Sequence, residues 1–279
     1  MDLRRLVDDC SLDMVGRRLP ELPAAAALLP PGTRVNIGVA PGESPQLRRD
    51  TSAAVAAHGL TPVPHIAARR IVSAASLEDF LSGLQADGTS RHLLALGGDP
   101  DPAEGPYRDT LSVIRAVRLA DHGAVTVGVG GHPDGHPAVS SDVLWTALHA
   151  KIDELTAQGL QPEVFTQMVL DVDSTLSWIE AVRDAGITAP IRVGLCGPIE
   201  PARLRGYARR VGASRGEEVL KRYGAAPDDP TPRVGPTRFL DALAGRLDTG
   251  HHGSVRVHLF SLGGLRESAE WIHAALTPS

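Results

Sequence analysis

The stretch from Arg91 to Pro137 constrains this chain more than any other. It holds two apolar runs, His92–Leu96 and Ala124–Val129, and each breaks at its C-terminal end into glycine and then polar groups. The first break reads Gly97-Gly98-Asp99-Pro100. The second reads Gly130-Gly131-His132-Pro133-Asp134-Gly135-His136-Pro137. Between the runs, Tyr107–Asp121 has helical length, with apolar residues at Leu111, Ile114, Val117 and Leu119. Run, helix and run predict a β-α-β unit with parallel strands. Ligands of parallel sheets bind beyond the carboxyl ends of the strands, which points to Asp99, His132 and His136.

The same alternation covers the rest of the chain. Further strands are predicted at Cys10–Val15, Arg34–Val39, Thr61–Ile66, Glu163–Val169, Ile191–Leu195 and Val255–Phe260. Thr61–Ile66 carries two prolines, unusual inside a sheet, and is the least regular of these strands. Helices are predicted at Leu22–Leu29, Pro45–His58, from a cap at Ser76 to about Gln85, Ser141–Gln158, Ser174–Ala185, Glu200–Val211, Arg215–Tyr223, one ending near Leu247, and Leu265–Leu276. A Pro/Gly/Asp-rich loop fills Gly224–Gly235. Eight β/α units in 279 residues predict a single (β/α)8 TIM barrel over residues 1–279. An open doubly wound sheet is the competitor, weakened because no G-x-G-x-x-G follows the first strand.

Composition narrows the setting. The net charge of -5 is mild and the basic residues are spread, which argues against a nucleic-acid surface. Two cysteines, Cys10 and Cys196, make no disulfide framework and read as buried thiols in a reducing compartment. The start MDLRRLVDDCSLD is too charged for a signal peptide, and no apolar run reaches membrane-spanning length. The expectation is a soluble cytoplasmic protein acting on a small molecule, with its oligomeric state open.

Polar groups at strand ends then become candidates: Asp13, Gly38, His65, Asp99, His132, His136, Gln167, the Gly197-Pro198 turn, Ser261 and Gly263. Asp13 and Gln167 interrupt apolar runs, and a polar group inside a strand has to be hydrogen-bonded or functional. Each has a plainer reading. Gln167 could cross-link strands within the barrel. Asp99 before Pro100 could be a turn residue, and His136 a surface histidine. His132 and His136 have the His-x-x-x-His spacing of a metal site, but in a Pro/Gly loop rather than on a helix, so no metal is expected there. His251-His252 precedes the last strand and reads as a solvated loop.

Five motifs, in order, make the chain resemble the methylenetetrahydrofolate reductase family of (β/α)8 flavoproteins. Pro64-His65-Ile66 resembles the family's P-H-L. Ala95-Leu96-Gly97-Gly98-Asp99 resembles A-L-R-G-D, and His132–Pro137 resembles Y-P-E-x-H-P. Leu148-His149-Ala150-Lys151 resembles L-K-x-K, and Phe165–Asp171 resembles I-T-Q-x-x-x-D. The resemblance implies that Asp99 lies near the flavin and the folate, and that Gln167 holds the folate pterin. It implies that Asp13, in Ser11-Leu12-Asp13, stands where the family has its general acid, a glutamate. His65, Gly98, His132, His136 and Lys151 match residues around the flavin, and Gly263 lies beside the substrate position. Several anchors differ: Gly97, Gly38, His132 and Ala150 replace an arginine, a threonine, a tyrosine and an arginine, and Gly264 takes the place of a substrate-contacting arginine.

The resemblance implies a reductase that converts methylene-tetrahydrofolate to methyl-tetrahydrofolate with NAD(P)H, with Asp13 and Asp99 catalytic. Because the flavin anchors are replaced, FAD is expected to be weakly held or absent. The alternative is a flavin-independent tetrahydrofolate-dependent methyl or methylene transferase (a demethylase) on the same barrel. A metal-dependent hydrolase using His65, Asp99, His132 and His136 is the remote alternative, disfavoured because no His-x-His follows the first strand. A non-catalytic folate-binding relative is a further one.

Overall fold

The computed structural model describes residues 3–210, 216–224 and 233–277. Eight parallel strands close into a barrel: β1 (Ser11–Met14), β2 (Arg34–Ile37), β3 (Thr61–Ala67), β4 (His92–Leu96), β5 (Thr126–Gly131), β6 (Gln161–Met168), β7 (Ile191–Cys196) and β8 (Val255–Phe260). Each pairs with its neighbour in sequence, and β8 closes on β1 through Ser11–His258 and Leu12–Leu259. The fold is a (β/α)8 barrel, as expected.

The helices are α1 (Leu3–Val7), α2 (Leu22–Ala26), α3 (Pro45–Ala57), α4 (Ala74–Ala86), α5 (Thr110–Ala116), α6 (Ser141–Ala157), α7 (Val172–Asp184), α8 (Pro201–Arg210), α9 (Gly216–Arg222), α10 (Thr237–Ala244), α11 (Thr249–His252) and α12 (Leu265–Leu276). Their starts follow from side-chain caps. Ser44 accepts from Leu47 N–H with Pro45 at the first helical position, and Asp171 accepts from Ser174 N–H. Several boundaries shift from expectation, and two of the shifts have a clear local cause. Helix α4 begins one turn earlier, because Ser73 is the cap and Ser76 its reciprocal partner in a capping box. The predicted helix Tyr107–Asp121 is only α5 followed by a 3-10 turn, Leu119–His122. Asp109 caps its start, and Val117, at φ -142°, is extended and ends it. Residues 211–215 and 225–232, parts of the expected helices and of the Gly224–Gly235 loop, lie outside the described residues.

Strand β3 tolerates its prolines through ladder geometry. Thr61 N–H donates to Thr33 O, on the β2 side. In a parallel ladder alternate residues face alternate neighbours, so the nitrogens of Pro62 and Pro64 face β4. Pairing with β4 starts only at His65, beyond both prolines.

Outward side chains such as Leu12, Val35, Ile66, Val127, Val193 and Leu259 bury against the helices. Inward side chains stack in layers of four from alternate strands, as barrel geometry requires. From the base these are Arg34, His92, Glu163 and Arg256, then Ser11, Val63, Gly128 and Arg192, then Asn36, Leu94, Phe165 and His258, then Asp13, His65, Gly130 and Gly194. Gly38, Leu96, Gln167 and Phe260 form the rim. Gly128 has to be glycine, because a Cβ there would lie 2.7 Å from Phe165 and 2.8 Å from Leu94.

The base of the barrel is ionic. Arg192, 1% exposed, donates to Asp9 O at 2.6 Å and to Asp9 Oδ2 at 3.0 Å, and lies 3.5 Å from Glu163. Arg34 meets the other Glu163 oxygen at 2.6 Å. Removing one partner of such a network strands a buried charge. Arg192→Leu is therefore expected to lose about 3–5 kcal/mol of unfolding free energy, measured by urea denaturation. A loss under about 1 kcal/mol would show that the network does not hold the base together.

Candidate active site

Asp13 sits at the C-terminal mouth, half-buried, and its Oδ1 accepts from Ser261 N–H at 2.6 Å. That contact spans the closure seam between β1 and the end of β8. Burial pushes the Asp13 carboxyl up to about 6, against the pull of the Ser261 N–H and of Arg18 on the segment after β1. Cys196, inward of the same wall, is pushed up to about 12 by burial and by the charge of Asp13, so it is a thiol and not a nucleophile.

The groups around Asp13 are neutral. His65 is lowered to about 3 by burial and by Arg48, whose guanidinium donates to His65 O at 2.9 Å. His258 is lowered to about 3 for the same first reason, and its Nδ1 lies 2.9 Å from Ser11 Oγ. Asn36, next to Asp13 in the β1–β2 register, is fully buried, and neither amide atom has a hydrogen-bond partner. The Nε2 of His65 is likewise buried and unpartnered. Buried polar atoms without protein partners are rare, and these face the interior below the mouth. Sequence reasoning passed over Asn36, although it interrupts an apolar strand just as Asp13 does.

An apolar cluster fills another side of the interior, where Val63, Leu94 and Phe165 pack together with Leu96. On the Asp13 side, the rings of His258 and Phe260 meet at 5.0 Å. Gln167 stands at the open rim and is exposed rather than buried in the barrel. Its amide oxygen accepts from Met168 N–H at 3.0 Å and from the Tyr207 hydroxyl of α8 at 3.4 Å. A register irregularity between Phe165 and Met168 tilts it there. Asp13, His65 and Gln167 thus share one mouth, joined by Asn36, His258 and Phe260.

The remaining candidates lie further out. Asp99 is 95% exposed on the loop after β4, with its Oδ2 4.0 Å from Arg70. Gly98, at φ +88°, turns that loop over Ala67. His132 is lowered to about 4 by burial and by Lys151, and its ring meets exposed His136 edge-on at 5.5 Å. Asp134 anchors this loop, accepting from Leu170 N–H and the Ser174 hydroxyl. Gly263 packs so closely on the Pro198 carbonyl that a Cβ would overlap it, so its part is a close backbone approach. The expected solvated loop at His251-His252 is instead the short helix α11, with His252 buried.

A flavin dinucleotide needs cations or clustered N–H groups for its diphosphate. At the matched positions, Gly38 and Gly97 carry no side chain, and a Cβ on Gly97 would meet nothing within 4 Å. Lys151, 8% exposed, spends its ammonium on Gly130 O at 3.1 Å, and burial lowers it to about 8. His136 accepts from Ala138 N–H within its own loop. These residues do not fit a flavin held through its diphosphate at those positions. A cavity of about 610 Å³ opens at the other end of the barrel, lined in part by Arg34, Glu163 and Asp153. Barrel ligands bind at the C-terminal face, so it is not the candidate active site.

The chain is 36% identical over 112 residues to methylenetetrahydrofolate reductase 1 of Schizosaccharomyces pombe, covering 38% of this chain and 18% of that protein. It is 26% identical over 202 residues to methylenetetrahydrofolate reductase 2 of Saccharomyces cerevisiae, covering 67% and 32%. The matches thus span about a third or less of these curated relatives. Among solved structures, dihydropteroate synthase of Thermus thermophilus aligns with a TM-score of 0.49 and 16% identity, covering 98% of this chain and 94% of that one. Triosephosphate isomerase of Bartonella henselae aligns with a TM-score of 0.44 and 13% identity, covering 95% and 96%. The family model described as methylenetetrahydrofolate reductase matches residues 24–272, from ahead of β2 to within α12, and the chain belongs to that family.

Proposed function

We propose that the barrel binds a reduced folate at its C-terminal mouth and reduces its methylene group to methyl with a reduced nicotinamide. One observation carries this reading: a carboxyl at the mouth, Asp13, raised by burial to about 6 and held by Ser261 N–H beside neutral polar groups. A planar pterin, with apolar faces and a hydrogen-bonding edge, suits such a mouth.

In the proposed reaction Asp13 gives its proton to the ring nitrogen that leaves the methylene carbon. The carbon–nitrogen bond breaks toward that nitrogen and leaves an iminium cation. Hydride from the nicotinamide adds to the methylene carbon, yielding the methyl product and oxidised nicotinamide. Gln167, anchored by Met168 N–H and Tyr207, presents its amide to the pterin edge. Asp99 supplies negative charge for the cation from outside the wall, where water weakens it.

The second reading is a flavin-independent methyl or methylene transferase on the same folate mouth. What favours it is the withdrawal of Lys151 onto Gly130 O and the bare Gly97. In both readings flavin is weakly held. The protein is expected to purify colourless, with little rise in melting temperature on adding FAD. A yellow preparation with stoichiometric flavin would overturn this. Oxidation of NADH or NADPH dependent on methylene-tetrahydrofolate, followed by the loss of nicotinamide absorbance, separates reductase from transferase.

Replacing Gln167 with Ala leaves polar groups of the pterin unpaired, and tetrahydrofolate affinity should drop by about 1–3 kcal/mol in calorimetry. Unchanged affinity would remove Gln167 from the site.

Asp13→Asn keeps the shape and the Ser261 contact but carries no transferable proton, so kcat should drop by roughly two to four powers of ten. The sign with pH is fixed by the raised value. The folded protein holds the proton below about 6 and loses it above, so wild-type kcat should decline as pH rises through about 6. Between the ordinary carboxylate value and about 6, the folded state binds more proton than the unfolded, and stability falls as pH rises. The Asn variant escapes that loss, and its melting temperature at neutral pH should match or exceed the wild type's. Asp99→Asn should cost less activity than Asp13→Asn, since its charge is solvated. A destabilised Asp13→Asn protein that turns over normally would rule out the acid role.

A further inference from the structure

We propose a divalent transition-metal site at the N-terminal face of the barrel, built from Glu180, His251 and His252 and best suited to Zn2+. One ligand atom of each residue lies within 4.8 Å of the others. Glu180 is on α7, and the two histidines end α11, which packs against α7. This face is opposite the mouth that holds Asp13, so the site is independent of the proposed folate chemistry.

Three observations support a ligand there. The His252 ring is 5% exposed, and its Nε2 is buried without a hydrogen-bond partner. Its Nδ1 lies 3.0 Å from Asp248 O, so the tautomer with the proton on Nδ1 aims a free lone pair from Nε2 at the Glu180 carboxylate, 3.5 Å away. A backbone carbonyl holding the far nitrogen is the usual way a metal-binding imidazole is oriented. Two acceptors that face each other call for a positive centre between them. In the other tautomer Nδ1 accepts from Asp248 N–H, also at 3.0 Å, and Nε2–H points to Glu180 as an ordinary pair. Metal binding and this pairing exclude each other, which makes the choice testable.

The support is rigid. Arg183, one turn beyond Glu180 on α7, donates to His252 O at 2.7 Å, Ser254 O at 3.3 Å, and Ile187 O and Ala189 O at 2.8 Å. Gly253, at φ +66°, makes the turn, and a Cβ there would come within 3.1 Å of Arg183 Nε. A tetrahedral ion with ligands at about 2.1 Å keeps them about 3.4 Å apart. The Glu180–His252 separation already matches, and exposed His251, whose ring centroid is 5.0 Å from that of His252, closes the rest by turning its side chain. Two imidazoles and one carboxylate favour Zn2+, Co2+ or Ni2+ over the oxygen-seeking Mg2+ and Ca2+. The Arg183 charge opposes a nearby cation, so the ion is expected to exchange with solution rather than be trapped.

The test uses untagged protein treated with EDTA and then freed of chelator. Titration with ZnCl2 in a calorimeter should give one equivalent bound, and Co2+ should give the visible bands of a tetrahedral nitrogen/oxygen complex. Zn2+ should raise the melting temperature of the wild type. His251→Ala and Glu180→Gln alter side chains open to solvent, so both should fold. Each should weaken binding by more than about tenfold and abolish the thermal shift. Tetrahydrofolate affinity should stay unchanged in both variants, which separates this site from the mouth. No stoichiometric Zn2+ binding would overturn the proposal, as would equal binding by both variants, because the ion would then sit elsewhere.

Discussion

Closing eight parallel strands on themselves leaves no free edge, and it drives every second side chain into one shared interior. That space has to be filled and its polar groups satisfied. Here the interior is divided by height. The base holds guanidinium and carboxylate groups, with Arg192 gripping Asp9 and Glu163. The middle sets Val63, Leu94 and Phe165 on one side against Ser11, Asn36 and His258 on the other. A buried ionic network is costly to desolvate and is no sure source of stability. Geometrically, it ties the segment before β1 to β6 and β7 at the base of the barrel.

That closure makes the candidate site. Ser261 N–H follows β8 and Asp13 belongs to β1, and they meet only because the barrel shuts. The carboxyl is withdrawn from water enough to favour its protonated form, while a single strong donor and distant Arg18 limit the shift. Neutral imidazoles beside it matter as much as the carboxyl. His65 and His258 are both pushed far below neutrality by burial, so they add polarity without adding charge that would drive the proton from Asp13.

The flavin question turns on where positive charge is spent. Lys151 lies on the face of α6 that meets β5, and its ammonium goes to a strand carbonyl. Arg69 and Arg70 are engaged with the loop after β4 and its acids. Among the described residues at the matched positions, no free cation is left for a diphosphate. Asp13 and Gln167 face a common opening. The mouth therefore gathers polar groups, while the positions matched to dinucleotide anchors carry no free cation among the described residues.

Alternating apolar runs and helical stripes determined the eight-unit barrel, because period and length survive without knowledge of contacts. The strand-interrupting polar residues Asp13 and Gln167 marked the mouth for the same reason, and Asn36 carried the same mark unread. Tertiary structure decided the rest. Nothing local says that Asp13 meets a backbone N–H 248 residues away, that Ser11 meets His258 across 247, or that Arg192 reaches Asp9. Those pairings depend on register and closure, which a two-residue period leaves open. The plainer reading of Gln167, a cross-link inside the barrel, gives way to its place at the rim, where β6 and β7 step out of register. His251-His252 reads as solvated loop, yet Arg183 folds it against α7 and buries one ring. The pattern of residues states which way a side chain points, and only the closed chain states what it meets.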